Sequence, residues 1–382
     1  MLTSQTKTRA IQRLRANQPL QGPIFLTPRR SARDLSTDQP MQALGEAARA
    51  AAALALESGE THYADVPGIT PLRQRIAAWL NQTIAAEHYG LDHALVTASI
   101  QEARFLSVQV LGERFGSVAI PEVVHPGVAK AAAVRALPIT RVPVAADSGL
   151  LPSVHSLGLA LQGGARLLFL ESPSRLTGAC YPPADLREIA GLLASFGAAV
   201  IWDQGLLPWV SAAENHTLVE SLGARERAAL IGELWPGLGL ESWHAAFVAA
   251  PVEWLEAMRV HKQIISICTN TAVQYAALQA AEGFEQATRA TRTQLAAERQ
   301  RLIDRLTGSS LEALPGSAAT ILALRPPDIS RALDELSNSG FLVADGAAFG
   351  APGLLRLSIV PDGSHGPAVS DLLRTGQGGG NR

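Results

Sequence analysis

The sequence predicts an α/β protein: a mostly parallel sheet covered by helices, followed by a smaller C-terminal α+β unit. Three observations predict it. Short apolar runs bounded by turn residues recur between positions 94 and 249, as buried strands do. Most gaps between them hold an amphipathic segment of helical period, which implies βαβ units. Beyond Pro315 the order changes to strand-like runs around one helix.

Residues 1–40 are rich in Pro, Arg, Ser and Thr without a sustained period, and read as an extended N-terminal arm. A large domain follows over 41–255. It opens with a helix over 41–58, where Ala, Leu and Glu take over. Residues 61–68 form a polar loop, and a helix over 71–84 carries Leu72, Ile76 and Leu80 on one face. Strands are predicted at 94–97, 117–121, 140–144, 167–170, 200–202, 229–232 and 246–249, with helices over 101–111, 126–135 and 183–196. Ligands of such sheets bind at the carboxyl ends of the strands, which directs attention to 98–101, 122–125, 171–178, 203–206 and 233–239. The remainder, 256–374, reads as an interdomain helix and a small domain. The stretch 252–281 holds one or two helices, and Phe284–Leu306 a further one. Strands at 319–324, 341–344 and 354–359 with a helix over 329–337 complete the unit, and the Gly-rich stretch 375–382 reads as a disordered tail.

The chain has 382 residues, 32 basic against 34 acidic, with a formal charge of -2. That balance lacks the basic excess needed for nucleic acid or an anionic membrane, so the expected partner is a small molecule or another protein. No apolar run is long enough for a membrane span. The basic N-terminus is not followed by an apolar segment, so no secretory signal is read and a cytoplasmic location is expected. Cys180 and Cys268 lack metal or disulfide spacing and are expected to be buried free thiols; no metal site is predicted. Lysine occurs only at Lys7, Lys130 and Lys262. Any amine chemistry has three candidates.

Several segments, in order, resemble the class I/II aminotransferases, the pyridoxal-phosphate (PLP) family of fold type I. Thr61-His62-Tyr63 through Pro67-Gly68 is similar to the family's tyrosine loop, 97–103 to its phosphate turn, and 121–127 to the segment carrying the ring-stacking aromatic. Glu171-Ser172-Pro173-Ser174-Arg175-Leu176-Thr177-Gly178 is similar to the N-P-x-N-P-T-G region, and Val200-Ile201-Trp202-Asp203 to the strand ending in the pyridine-binding aspartate. The run 346–357 resembles the approach to the arginine that binds a substrate carboxylate. The resemblance implies a fold-type I PLP-transferase-like architecture, with Asp203 against the cofactor's ring nitrogen, Tyr63 lent to a neighbouring subunit and Arg356 as the carboxylate clamp.

The same alignment places Pro236 where the family has its Schiff-base lysine. Proline has no amine, so the covalent and proton-transfer roles of that lysine are lost together. Glu233 falls on the phosphate-binding serine and His244 on the phosphate-binding arginine. An ionised carboxylate there opposes a phosphate. Ser99 and Ile100 replace small residues of the phosphate turn, His125 takes the stacking position, and Arg175 and Leu206 replace the groups that bond the phenolic oxygen. Ser99, His125, Arg175, Asp203, Glu233 and His244 thus form a remnant cofactor pocket. PLP is the cofactor the resemblance implies, and these replacements argue against it.

The expected function is that of an aminotransferase-like protein without conventional transamination. It would bind an amino-acid-like carboxylate through Arg356 or serve as a dimer partner, as a homodimer or with an active homologue. The non-catalytic subunit of serine palmitoyltransferase is a precedent within the fold. Two alternatives stay open. One is an enzyme using PLP or pyridoxamine phosphate non-covalently, with His125 or His244 as base, as in some sugar dehydratases of the fold. The other is unrelated acid/base chemistry in the remodelled pocket.

Overall fold

A computed structural model describes residues 33–38, 43–361 and 369–371. The expected tail and most of the expected arm lie outside these residues. The described end of the arm does not stand free: β1 (Arg33–Asp34) pairs in parallel with a strand near the C-terminus, Arg33 opposite Phe341 and Asp34 opposite Leu342.

Two helices follow, α1 (Glu46–Glu57) and α2 (Thr70–Thr83). The sheet then begins with β2 (Ala94–Thr97), α3 (Ile100–Phe115), β3 (Val118–Pro121), α4 (Pro126–Val134) and β4 (Ile139–Val142). It continues through α5 (Val154–Gln162), β5 (Leu167–Glu171), α6 (Pro183–Ser195), β6 (Ala199–Asp203), the short α7 (Leu222–Arg225), β7 (Ala228–Glu233) and β8 (Ala246–Ala249). The strand order is β2-β8-β7-β6-β5-β3-β4. Only β8 runs antiparallel to its neighbours. Every residue of β5 and β6 is buried, which explains apolar runs without polar alternation. Leu168, Leu170, Val200 and Trp202 pack on one face of the sheet, and Leu167, Phe169 and Ile201 on the other.

The apolar stretch after the sheet forms two helices, α8 (Val252–Ile265) and α9 (Thr271–Ala280). The break falls where Ile267 takes a left-handed φ of 60° and the Asn270 side chain accepts the Val273 N–H at 3.2 Å, capping α9. The long helix α10 (Phe284–Leu306) leads to β9 (Glu312–Ala313), β10 (Ile321–Arg325), α11 (Ile329–Asn338), β11 (Phe341–Leu342), β12 (Ala344–Asp345) and β13 (Leu355–Ser358). Four of these strands form an antiparallel sheet in the order β12-β13-β10-β9. The strand predicted at 341–344 is two strands serving different sheets, parted at Val343. Helices α5 and α7 and strands β1 and β9 are absent from the sequence reading. Cys180 and Cys268 are free but only partly buried, a correction to their expected full burial. Among the described residues no helix is long and apolar enough to cross a membrane.

Candidate functional site

Three adjacent strands of the large sheet end on acids: β5 on Glu171, β6 on Asp203 and β7 on Glu233. Parallel pairing sets Glu171 directly opposite Asp203. The turn after β5, which contains a cis Ser172–Pro173 bond, folds Arg175 back over these ends. Its guanidinium is wholly buried. Nε and Nη2 donate to Asp203 at 3.2 and 2.5 Å, while Nη1 and Nη2 donate to Glu233 at 2.8 and 3.1 Å. Nη1 also donates to Asp38 at 3.2 Å.

Two further arginines close the cluster. Arg104, on α3, donates to Asp203 from Nε and Nη2 at 3.2 and 2.8 Å and to Gln101 from Nη1 at 2.6 Å. Arg356 lies in β13, opposite Ala323 and Ala344 on its two sides. Its Nη1 donates to Asp38 and, at 2.9 Å, to the Arg175 carbonyl, and its Nη2 donates to the Ser36 carbonyl. The Phe349 ring lies 5.2 Å from its guanidinium carbon. Three buried guanidiniums thus face Asp38, Asp203 and Glu233.

Burial alone would neutralise such acids, but charge decides otherwise. Burial raises Asp203, yet Arg175 and Arg104 outweigh it and bring its carboxyl down to about 2. Burial likewise opposes charge on Asp38, and Arg356 and Arg175 hold it well below the usual carboxylate range. Glu171 goes the other way. Burial first, and the charge of Asp203 second, push it up to about 7. Its two oxygens accept the backbone N–H groups of His125 and Arg175 at 2.9 and 3.1 Å. A group with that value exchanges its proton near neutrality.

The structure therefore brings together Arg175, Asp203, Glu233 and Arg356 of the residues singled out from the sequence. His125 is close by, capping α4 by accepting the Gly127 N–H at 3.0 Å. Burial, then Arg104, push it well below its ordinary value, so it stays neutral. Ser99 caps α3, accepting the Glu102 N–H at 3.2 Å, and holds φ at 140°, a region nearly reserved for glycine. His244 is corrected: it sits exposed on a turn with φ 59° and does not join the cluster. Tyr63 is 79% exposed and touches none of these groups. Asp38, Arg104 and Glu171 were not singled out from the sequence. The one available signal was Glu171, an acid opening the matched E-S-P-S-R run.

PLP does not fit these residues. Asp203 and Glu233 match positions at opposite ends of the cofactor, its ring nitrogen and its phosphate, yet here both bond one guanidinium. A Cβ added to Gly205 would lie 1.9 Å from Glu233 and 2.2 Å from Arg175, so the space beside them is filled. At the lysine position Pro236 is buried, its carbonyl accepting the Thr288 hydroxyl at 3.1 Å. Its neighbour Trp235 takes φ 52° and packs its indole against Trp79 and Phe284. That turn serves the core. Lys262 offers no replacement amine: it is buried and donates to Glu102 at 3.0 and 3.1 Å and to Ser266 at 3.0 Å. Glu102 in turn accepts the Ala98 N–H beside the α3 N-terminus, where an anion would otherwise be held.

Comparison with known proteins bears on the family and the fold. The family model for aminotransferase class I and II matches residues 32–367. The putative aminotransferase YugH of Bacillus subtilis is 26% identical over 60% of this chain, and the match spans 60% of that protein's length. Arginine–pyruvate transaminase AruH of Pseudomonas aeruginosa is 27% identical over 80% of this chain and 79% of its own. Among solved structures, a Thermus thermophilus aspartate aminotransferase tetra mutant superposes with a TM-score of 0.81 at 21% identity, covering 92% of this chain and all of that one. N-succinyldiaminopimelate aminotransferase from Mycobacterium tuberculosis does so at 0.80 and 22%, covering 90% and 93%.

Proposed function

Because this chain belongs to the class I and II aminotransferase family, we propose that it has kept the family's fold and carboxylate-binding arginine while losing PLP transamination. One observation carries the reading: Arg175 bonds Asp203 and Glu233 at once, filling the place of a cofactor with the chain's own charge. Pro236 removes the amine that would form a Schiff base and carry protons in the reaction. What remains useful is binding. Arg356 offers a fork suited to the carboxylate of an amino-acid-like ligand. A second subunit, a copy of this chain or an active homologue, is supported by exposed apolar residues on one side of α8, among them Val260 and Ile264.

The test is direct. Purified protein mixed with PLP is expected to give no aldimine absorbance, and borohydride to trap no pyridoxyl-lysine. An adduct trapped at Lys130 or Lys262, or amine transfer from an amino acid to pyruvate, would refute the reading. Pro236→Lys alone is expected to leave turnover absent, because Glu233 and Arg175 still occupy the cofactor's place.

A further inference from the structure

The charge cluster contains one member that differs from the rest in how it is held. Asp203 is fully buried and Glu233 is 10% exposed, each ending a central strand of the large sheet. Asp38 belongs to none of the three sheets. It lies four residues beyond the two-residue strand β1, with 21% of its side chain exposed. Its carboxylate nevertheless bridges two guanidiniums, Oδ1 on Arg356 of β13 and Oδ2 on Arg175 in the turn after β5. The bridge leaves Arg356 incompletely satisfied, because its buried Nε has no hydrogen-bond partner among the described residues. A buried, charged donor without an acceptor costs free energy that a better-placed oxygen would recover.

Resting on the reading of Arg356 as a carboxylate ligand, we infer that Arg175 and Arg356 form an exchangeable site for a small monocarboxylate, and that Asp38 is its built-in occupant. A free carboxylate enters by displacing the Asp38 side chain, and the segment 33–38 carries the displacement to β1. Charge selects the ligand. With Asp38 withdrawn and Glu171 protonated, as it is below about pH 7, Arg104, Arg175 and Arg356 are balanced only by Asp203 and Glu233, one negative charge short. A monocarboxylate restores the balance, whereas a phosphate dianion overshoots it beside Glu233. Occupation by Asp38 also sets the apparent affinity, since a ligand binds only the fraction of molecules whose site is open.

Acetate is the probe, titrated against wild type and Asp38→Gly at constant ionic strength and read as the midpoint of thermal unfolding. Asp38→Gly is expected to start lower and to be raised by acetate at a half-saturating concentration at least about tenfold below that of wild type. The shift should vanish in the double variant Asp38→Gly/Arg356→Gln. Asp38→Asn, which keeps the side chain's volume, gives the same comparison if the glycine variant does not fold. In wild type, saturating acetate should speed amide hydrogen exchange over residues 33–38. Equal half-saturation with and without Asp38, a shift surviving in the double variant, an equal response to inorganic phosphate, or unchanged exchange would each overturn the inference. A trapped pyridoxyl-lysine would remove the reading of lost transamination and leave this one standing; equal half-saturation would do the reverse.

Discussion

Arg175 is the residue on which the site turns. It replaces a neutral amide of the family's pattern with a guanidinium, and its five hydrogen bonds reach three carboxylates. Removing one partner from a buried ionic network leaves the others uncompensated, which costs about 3–5 kcal/mol. Arg175→Met should therefore lower the unfolding free energy in urea by that amount, and a loss under about 1 kcal/mol would show that Asp203 and Glu233 are not truly desolvated. The sequence made Arg175, Asp203, Glu233 and Arg356 visible one at a time, through matched motifs. It did not show that they touch, because contact across 28, 58 or 181 residues leaves no local pattern. Asp38 was hidden for a plainer reason: it stands in a stretch without period, where an acid looks like a solvated one.

At the scale of elements, legibility followed burial. Strands β5 and β6, covered on both faces, stood out as apolar runs, whereas β1, β9, β11 and β12 are two residues each and too short to show alternation. Helix α8 was legible as apolar but not as two-sided. It buries Trp254, Leu255 and Met258 and leaves Ile264 81% exposed, with Val260 also uncovered and Ile267 exposed just past its end. Covering one such isoleucine is worth about 2 kcal/mol. If this face meets a second copy, the purified chain sediments as a dimer and Ile264→Asp as a monomer. A monomeric wild type would count against the homodimer.

For the molecule as a whole, the cluster predicts an unusual response to pH. In the folded chain Glu171 titrates at about 7 instead of its ordinary 4.5. Between those values the folded state holds a proton that the unfolded state has released, so stability contributed by Glu171 is complete below pH 4.5 and lost as pH rises to 7. His125 acts in the opposite sense: neutral in the fold, it costs stability as pH falls below 6.5, where the unfolded chain takes up a proton. Asp203 adds a loss only in acid, as pH falls toward about 2. Between pH 5 and 6.5 the two effects offset each other, so the wild-type denaturant midpoint should be nearly flat there, and that of Glu171→Gln should rise with pH. A flat profile in that variant as well would place the proton elsewhere.

The way the cluster draws on the chain also fixes when it can exist. Arg104 meets Asp203 across 99 residues and Arg175 meets Glu233 across 58, so these contacts can close once the large sheet is assembled. Asp38 must wait for Arg356, 318 positions later. Because loop closure precedes the contact that rewards it, the pairing of the first described segment with nearly the last strand is a late event in folding, and a chain emerging from the ribosome cannot form it until synthesis is almost complete. Until then Asp38 has Arg175, 137 positions on, within reach but cannot join it to Arg356.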